Sequence, residues 1–230
     1  MSTPDELIVE QQKTLQTPRL KAGLPARILF KLVDSIYGKE ASLSKFLVIE
    51  IVARMPYSAW EQVSTVAITH THSDPYFAKD IHDQVLETRD QQDNETWHLL
   101  ILEEMLAKKG FKYGILKGRI IPQFLAWAYY HLSWLMYVIK PRFSYQLNVE
   151  FEDHAEHEYM QYVVDHPNVD DEKWESEFKD VYGHYDTVGD LLRRIGLDER
   201  EHKESSASHV EHSRFSRKSN RNLEKQATKL

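Results

Sequence analysis

Apolar residues recur at helical spacing along most of the chain, and four stretches carry this pattern far enough to predict long helices. The predicted helices cover residues 41–60, 77–109, 144–164 and 186–203. Proline removes a backbone donor, so Pro56 predicts a kink in the first helix, and Gly110 predicts the end of the second. The pattern therefore predicts an all-α protein built on a four-helix bundle.

Two further segments, residues 20–36 and 121–139, are amphipathic or strongly apolar. The first segment has two interpretations. It is either an ordinary surface helix or a basic amphipathic helix that lies in a membrane surface. The second is apolar and aromatic, but it is polar enough to prefer a membrane interface to a full span. Basic residues flank it on both sides: Lys108, Lys109, Lys112, Lys117, Arg119, Lys140 and Arg142. We expect short membrane-docking helices that bind an anionic lipid surface.

The length of 230 residues predicts one core, with a flexible arm over 1–19, a folded domain over 20–205 and a disordered polar tail over 206–230. The net charge of −7 argues against nucleic acid as a partner. The absence of cysteine excludes disulfides and thiolate zinc sites. The N-terminal residues lack the pattern of a signal or transit peptide, so we expect the chain to act where it is made unless a leader has been removed.

Carboxylates on the predicted core stripes recur at nearly even intervals, and two of them belong to Glu-x-x-His pairs. A Glu and a His three residues apart project from the same side of a helix. Antiparallel packing of four helices would bring six side chains to one level of the bundle: Glu50, Glu95, His98, Glu152, Glu199 and His202. That is the ligand set of di-iron carboxylate proteins. The spacing alone is also compatible with a plain helical bundle, in which Glu152 lies on a solvated acidic face.

The chemistry of these residue types indicates which metal they would hold. Carboxylates are hard oxygen donors that can bridge two cations, and imidazole is a good ligand for iron. Four buried carboxylates without metal would repel one another and take up protons. Two divalent iron ions would neutralise that charge, so we expect two irons as the cofactor.

Four short segments resemble the signature regions of the alternative oxidases. They are VIEIVARMPY (48–57), NETWHLLILEEM (94–105), FEDHAEHEY (151–159) and DEREH (198–202). The ARxPY and HLLIxEE strings are most similar to those of the plastid terminal oxidase branch. The resemblance extends over residues 25–205, which is nearly the whole predicted domain.

The resemblance implies a non-haem di-iron quinol oxidase that is bound to one membrane leaflet. Such an enzyme oxidises quinol, here plastoquinol, and reduces O₂ to water without pumping protons. The expected location is the thylakoid or another photosynthetic membrane, on its cytoplasmic or stromal face, with a homodimer as a candidate assembly. The six residues above correspond to the family's metal site, where the two histidines either bond iron or lie beside it. Tyr159 corresponds to the family's redox-active tyrosine and is the expected catalytic residue.

Three positions depart from the family pattern. Ile51 stands where the family has threonine, Gly196 where it has arginine, and Arg200 where it has alanine. Arg193 and Arg194 are candidates to replace the missing arginine from a neighbouring turn. These changes affect polar groups around the metal ligands, and therefore the quinone preference and the rate.

Two other functions use the same predicted bundle. A di-iron hydroxylase of a lipid or quinone precursor needs the same ligands, so only its products distinguish it. A non-catalytic, ferritin-like iron-binding bundle should be soluble. It should also lack the basic-flanked aromatic segment over residues 108–142.

Overall fold

A computed structural model of the chain describes residues 3–212, 214 and 215. Nine α-helices cover most of these residues: α1 (Pro4–Gln16), α2 (Leu24–Tyr37), α3 (Leu43–Ala53), α4 (Met55–Thr71), α5 (Pro75–Lys108), α6 (Ile121–Ile139), α7 (Pro141–Asp165), α8 (Lys179–Tyr182) and α9 (Val188–Val210). A π-helical turn leads into α6 and a 3₁₀ turn follows α7. The described residues contain no β-strand, and the predicted all-α class is confirmed.

The four predicted helices form the bundle. The first is interrupted at Arg54, so that α3 and α4 follow one another, and Pro56 lies at the second position of α4. α5 packs against both of these helices, while α7 packs along α9. The predicted kink is therefore a complete break between two helices. The last helix continues to Val210 and is longer than its apolar stripe predicted.

Local capping explains where the helices of the bundle begin. The side chain of Asp74 accepts a hydrogen bond from the backbone N–H of Phe77 at 3.0 Å at the start of α5. At the start of α9, the side chain of Thr187 accepts a hydrogen bond from the backbone N–H of Asp190 at 3.1 Å. Such caps satisfy donors that have no partner within the helix. Gly110 follows α5 with a φ of +70°, a left-handed conformation that favours glycine.

The N-terminal residues form a helix where the sequence predicted a flexible arm. α1 packs on α7 and α9 and buries Leu7, Gln11 and Thr14. The Gln11 side chain donates a hydrogen bond to the carbonyl oxygen of Met160 at 2.8 Å. Apolar periodicity does not detect α1, because polar contacts provide much of its docking. The predicted disordered tail begins inside α9, and its residues 213 and 216–230 lie outside the described residues. The rest of the domain division stays a prediction.

α2 and α6 leave large apolar side chains exposed on the surface. α6 packs against α3, α4 and α7 through residues such as Leu125 and Tyr129, whereas Phe124 is 62% exposed and Trp127 is 58% exposed. α2 exposes Leu24, Ile28 and Leu32. Within the part of the chain that the structure describes, no helix combines the length and apolar character needed to cross a bilayer.

Candidate metal centre

The bundle brings all six sequence-predicted ligand residues into one place. α3 carries Glu50, α5 carries Glu95 and His98, α7 carries Glu152, and α9 carries Glu199 and His202. All six side chains are buried, and the most exposed of them, His202, is only 5% exposed. Charged side chains are almost never buried in this way unless they are paired or bind metal.

The six side chains form two overlapping groups, in each of which the potential ligand atoms lie within 4.8 Å of one another. The first group contains Glu50, Glu95, His98 and Glu199, and the second contains Glu95, Glu152, Glu199 and His202. Glu95 and Glu199 belong to both groups. Because a carboxylate has two oxygens, each of these residues can bridge two neighbouring cations.

The imidazole nitrogens face the carboxylates at short distances. His98 Nδ1 lies 3.2 Å from Glu199 Oε1 and 3.5 Å from Glu50 Oε2. His202 Nδ1 lies 2.8 Å from Glu95 Oε1. Each histidine therefore approaches carboxylates from helices other than its own.

Many of the polar atoms at this centre have no hydrogen-bond partner. They are Glu50 Oε2, Glu152 Oε2, both carboxylate oxygens of Glu95 and of Glu199, and the Nδ1 atoms of His98 and His202. Buried polar atoms without a partner are rare in folded proteins, and eight of them around one point need an explanation. Four carboxylates and two imidazoles form the donor set that suits two divalent iron ions. The residues present therefore fit a two-metal centre.

The protonation preferences of the carboxylates support this fit. Burial, followed by repulsion from Glu95, raises the pKa of Glu50 to about 8 and that of Glu152 to about 7. The same causes raise the pKa of Glu199 well above its ordinary value. Burial also opposes ionisation of Glu95, but His202 and His98 together outweigh it and lower the pKa of Glu95. Without cations, this centre favours protonation of three of its four carboxyl groups.

A polar chain outside the first group fixes the ring of His98. Its Nε2 lies 3.1 Å from Asp198 Oδ2, and the Tyr182 hydroxyl donates a hydrogen bond to the same oxygen at 2.5 Å. Arg194 donates a hydrogen bond to the other oxygen of Asp198. A carboxylate that holds the far nitrogen of a histidine sets the orientation of its ring toward a metal. Neither Asp198 nor Tyr182 was predicted from the sequence, although Asp198 lies within the DEREH segment, whereas Arg194 was a candidate to replace the missing arginine.

A second polar chain holds Glu152. The hydroxyl of Tyr57 donates a hydrogen bond to Glu152 Oε1 at 2.9 Å. Asn148 Nδ2 donates to the Tyr57 oxygen at 3.0 Å and to Ser206 Oγ at 3.1 Å. The oxygen of Glu152 that Tyr57 does not bind is the unpartnered Oε2. This chain therefore leaves one oxygen of Glu152 available at the centre.

Tyr159 is fully buried and its hydroxyl donates a hydrogen bond to Glu50 Oε1. Its ring stacks on Phe46 with the ring centroids 4.2 Å apart. Burial, followed by the negative charge of Glu50, raises the pKa of the phenol well above its ordinary value. Tyr159, which the resemblance predicted as the redox-active tyrosine, thus reaches the centre through the carboxylate of Glu50 on α3.

Comparison with known proteins decides the family. The family model "Alternative oxidase" matches residues 25–210, which is most of the chain. The chain belongs to the alternative oxidase family. A curated relative, the Arabidopsis thaliana protein "Ubiquinol oxidase 4, chloroplastic/chromoplastic", is 26% identical over 141 residues. The match covers 59% of this chain and 35% of that relative, so the chain spans little more than a third of the relative's length.

The structure explains how this chain lacks the arginine expected at position 196. A Cβ atom added to Gly196 would lie 3.0 Å from Met160 Cε and 3.3 Å from Tyr159 Cβ, because α9 closely approaches α7 there. Of the two candidates to replace that arginine, Arg193 pairs with Asp170 at 2.7 Å, away from the centre. Arg194 pairs with Asp198 instead, and it therefore supports the polar chain to His98.

Arg200, where the family has alanine, ties α9 to α1 and α7. Its guanidinium lies 2.5 Å from Glu10 Oε2 and 2.9 Å from Glu156 Oε1, and it donates a further hydrogen bond to Thr14 Oγ1 at 2.5 Å. Lys203 Nζ lies 2.5 Å from Glu156 Oε2. Glu10 and Glu156 are therefore paired with cationic side chains of the protein. They belong to an ion-pair network between helices more than to a second metal site.

We expect Arg200→Ala to lower the free energy of unfolding by about 1–3 kcal/mol, because it leaves partly buried carboxylates without a partner. Urea unfolding followed by circular dichroism measures this change. Arg19→Ala is the control, since it removes only an exposed pair with Glu158 and should cost less than about 1 kcal/mol. Equal effects of the two substitutions would show that the Arg200 network does not anchor α1.

Proposed function

We propose that the protein is a membrane-bound, non-haem di-iron quinol oxidase that oxidises quinol and reduces O₂ to water. The observation that carries this proposal is the pair of overlapping carboxylate–histidine groups that share Glu95 and Glu199 in a chain of the alternative oxidase family. Two quinol molecules supply the four electrons and four protons that convert one O₂ molecule into two water molecules.

Each iron is assigned to one of the two groups. Glu50 would hold one ion and Glu152 the other, and Glu95 and Glu199, which belong to both groups, would contribute to both. His98 and His202 complete the two groups. When bound, the iron pair accepts electrons from quinol and passes them to O₂. The four carboxylates neutralise two ferrous ions, and burial in the bundle keeps bulk water away from the reacting atoms.

Tyr159 is placed to move a proton during the reaction. Its hydroxyl hydrogen points at Glu50 Oε1, so loss of an electron from the phenol can release that proton directly to the carboxylate. Coupling the two transfers avoids forming a phenolate, which burial and the charge of Glu50 disfavour. The residue is therefore proposed as a catalytic electron and proton donor.

The exposed faces of α2 and α6 are proposed to dock the protein on one membrane leaflet. Phe124, Trp127 and Ile139 on α6 and Leu24 and Ile28 on α2 provide apolar area that can enter the interface. The proposed substrate is plastoquinol, and the proposed site is the cytoplasmic or stromal face of a photosynthetic membrane such as the thylakoid. The plastid location in the name of the Arabidopsis relative supports this choice. Because both substrates react on one side of the membrane, the reaction pumps no protons.

Oxygen uptake by membranes that carry the protein tests the proposed reaction. We expect uptake with plastoquinol that produces two quinone molecules for each O₂ consumed, with ubiquinol as the comparison substrate. An oxygenated lipid or quinone product would instead identify a hydroxylase, the second candidate function. Iron binding without oxygen uptake on any quinol would favour the ferritin-like alternative.

We expect the protein to sediment with anionic vesicles and to be released only partly by high salt. Salt screens the attraction of the basic residues, whereas apolar burial persists. The double substitution Phe124→Ser/Trp127→Ser should release the protein at any salt concentration. Lys112→Gln/Arg119→Gln should weaken binding only at low salt. Complete recovery of the parent protein in the supernatant without detergent would contradict the docking proposal.

A further inference from the structure

A cleft of about 480 Å³ opens between α5, α8 and α9. Five acidic residues and a single guanidinium line it. The charged residues that line it are Glu87, Asp90, Asp93, Asp198, Glu201 and Arg194. The proposed oxidase reaction does not use this acidic cleft.

The acidic cleft ends at the metal centre. His202 lines it while remaining only 5% exposed, and its Nδ1 atom lies 2.8 Å from Glu95 Oε1 at the metal centre. Asn94 also lines the cleft, and its buried Oδ1 atom has no hydrogen-bond partner. An amide oxygen without a partner is a candidate ligand for a cation that passes through the cleft. The cleft therefore connects solvent with a residue of the second ligand group.

The negative charge at the mouth of the cleft is not compensated. Asp90 and Asp93 are exposed and form no ion pair or hydrogen bond with the residues that the structure describes. Arg194 is held by Asp198 and Glu201, with its Nη2 atom 3.1 Å from Glu201 Oε1. A cleft lined by charges of one sign concentrates ions of the opposite sign and raises their rate of arrival.

The position of the cleft also suits a water-soluble ion. α6 covers the side of the bundle formed by α3, α4 and α7, whereas the cleft opens between α5 and α9. If α6 faces lipid, the cleft faces water. A quinol with an apolar tail would have to desolvate these carboxylates to enter, which disfavours the cleft as a quinol site.

We infer that the acidic cleft is the route by which ferrous iron reaches the metal centre, an inference that rests on the proposed di-iron function. Asp90 and Asp93 attract the hydrated ion at the mouth. His202 is the first ligand residue that the ion meets on its way inward. These two aspartates act on the rate of metal loading and take no part in holding the metal afterwards.

The rate of iron loading tests this route without measuring oxidase activity. The full-length protein is stripped of iron in detergent and mixed anaerobically with ferrous ammonium sulfate. Protein-bound iron is then measured after rapid desalting at successive times. We expect Asp90→Asn/Asp93→Asn to load about three- to tenfold more slowly than the parent at low ionic strength. Both proteins should reach the same final iron content, and the difference should shrink in high salt.

Glu103→Gln/Asp171→Asn is the matched control, because it removes two exposed carboxylates that do not line the cleft. It should load iron at the parent rate. Asp90→Lys is a second test variant; it changes the charge by the same two units as the double asparagine variant and should load about as slowly. Parent-like loading rates in both test variants would overturn the route and leave the metal centre intact. Failure of the parent to bind any iron would overturn the proposed function, and the route with it.

Discussion

Replacement of Glu95 or Glu199 by alanine should empty the centre of both iron ions and abolish quinol oxidation. Each of these carboxylates belongs to both ligand groups, so its loss removes charge and a donor from two ions at once. Glu50→Ala and Glu152→Ala should also abolish turnover and should lower the iron content, each by weakening one group. Iron analysis of the purified variants, with circular dichroism as a test of folding, measures these effects.

Glu103→Ala serves as the control for this series, because Glu103 is an exposed residue of the same helix as Glu95. It should retain parental iron and activity. Removal of iron should lower the melting temperature of the parent, since a ligand that binds only the folded state stabilises it. The Glu95 and Glu199 variants should melt at the same temperature with and without added iron. Full iron occupancy in all four alanine variants would rule out the ligand assignment.

Tyr159→Phe should keep the fold and the iron content but lose most of the quinol oxidase activity. The substitution preserves the ring that stacks on Phe46 and removes only the hydroxyl bonded to Glu50. If Tyr159 is purely structural, the variant should lose one hydrogen bond, which typically stabilises a protein by about 1 kcal/mol, and should oxidise quinol at the parental rate. Oxygen uptake, iron content and urea unfolding measured on the same preparation distinguish the two roles.

Tyr162→Phe is the matched control for Tyr159→Phe. Tyr162 lies on the same helix and packs edge-on against the same Phe46, but it does not contact the metal centre. This variant should oxidise quinol at the parental rate. If Tyr159→Phe also consumes oxygen at that rate, the hydroxyl of Tyr159 has no part in electron or proton transfer.

Much of the bundle and the clustering of its ligand residues could be predicted from sequence, because both depend on local periodicity. Glu95 and His98 share a helix face through their spacing of three residues, whatever the rest of the chain does. Even intervals between Glu50, Glu95, Glu152 and Glu199 then suffice to align the four helices. The aromatic segment over 121–139 coincides with α6 for the same reason.

The contacts between distant segments were beyond the reach of the sequence. Tyr182 meets Asp198 through the short helix α8, which carries no apolar period of its own. α1 was taken for an arm, because Gln11 and Thr14 dock it through hydrogen bonds to partners more than a hundred residues away. The interruption at Arg54 is local, because Pro56 has no N–H to donate to the carbonyl of Val52, and the sequence predicted it as a kink.

Gly196 restricts which residues can replace it at this position. A Cβ atom at position 196 contacts Met160 and Tyr159 so closely that these side chains must give way. An arginine there would displace them beside the proposed redox tyrosine. Arg194 already occupies the carboxylate of Asp198, so that arginine would also bring a redundant cation. A residue larger than glycine at position 196 is therefore accommodated only if the side chains of Met160 and Tyr159 shift.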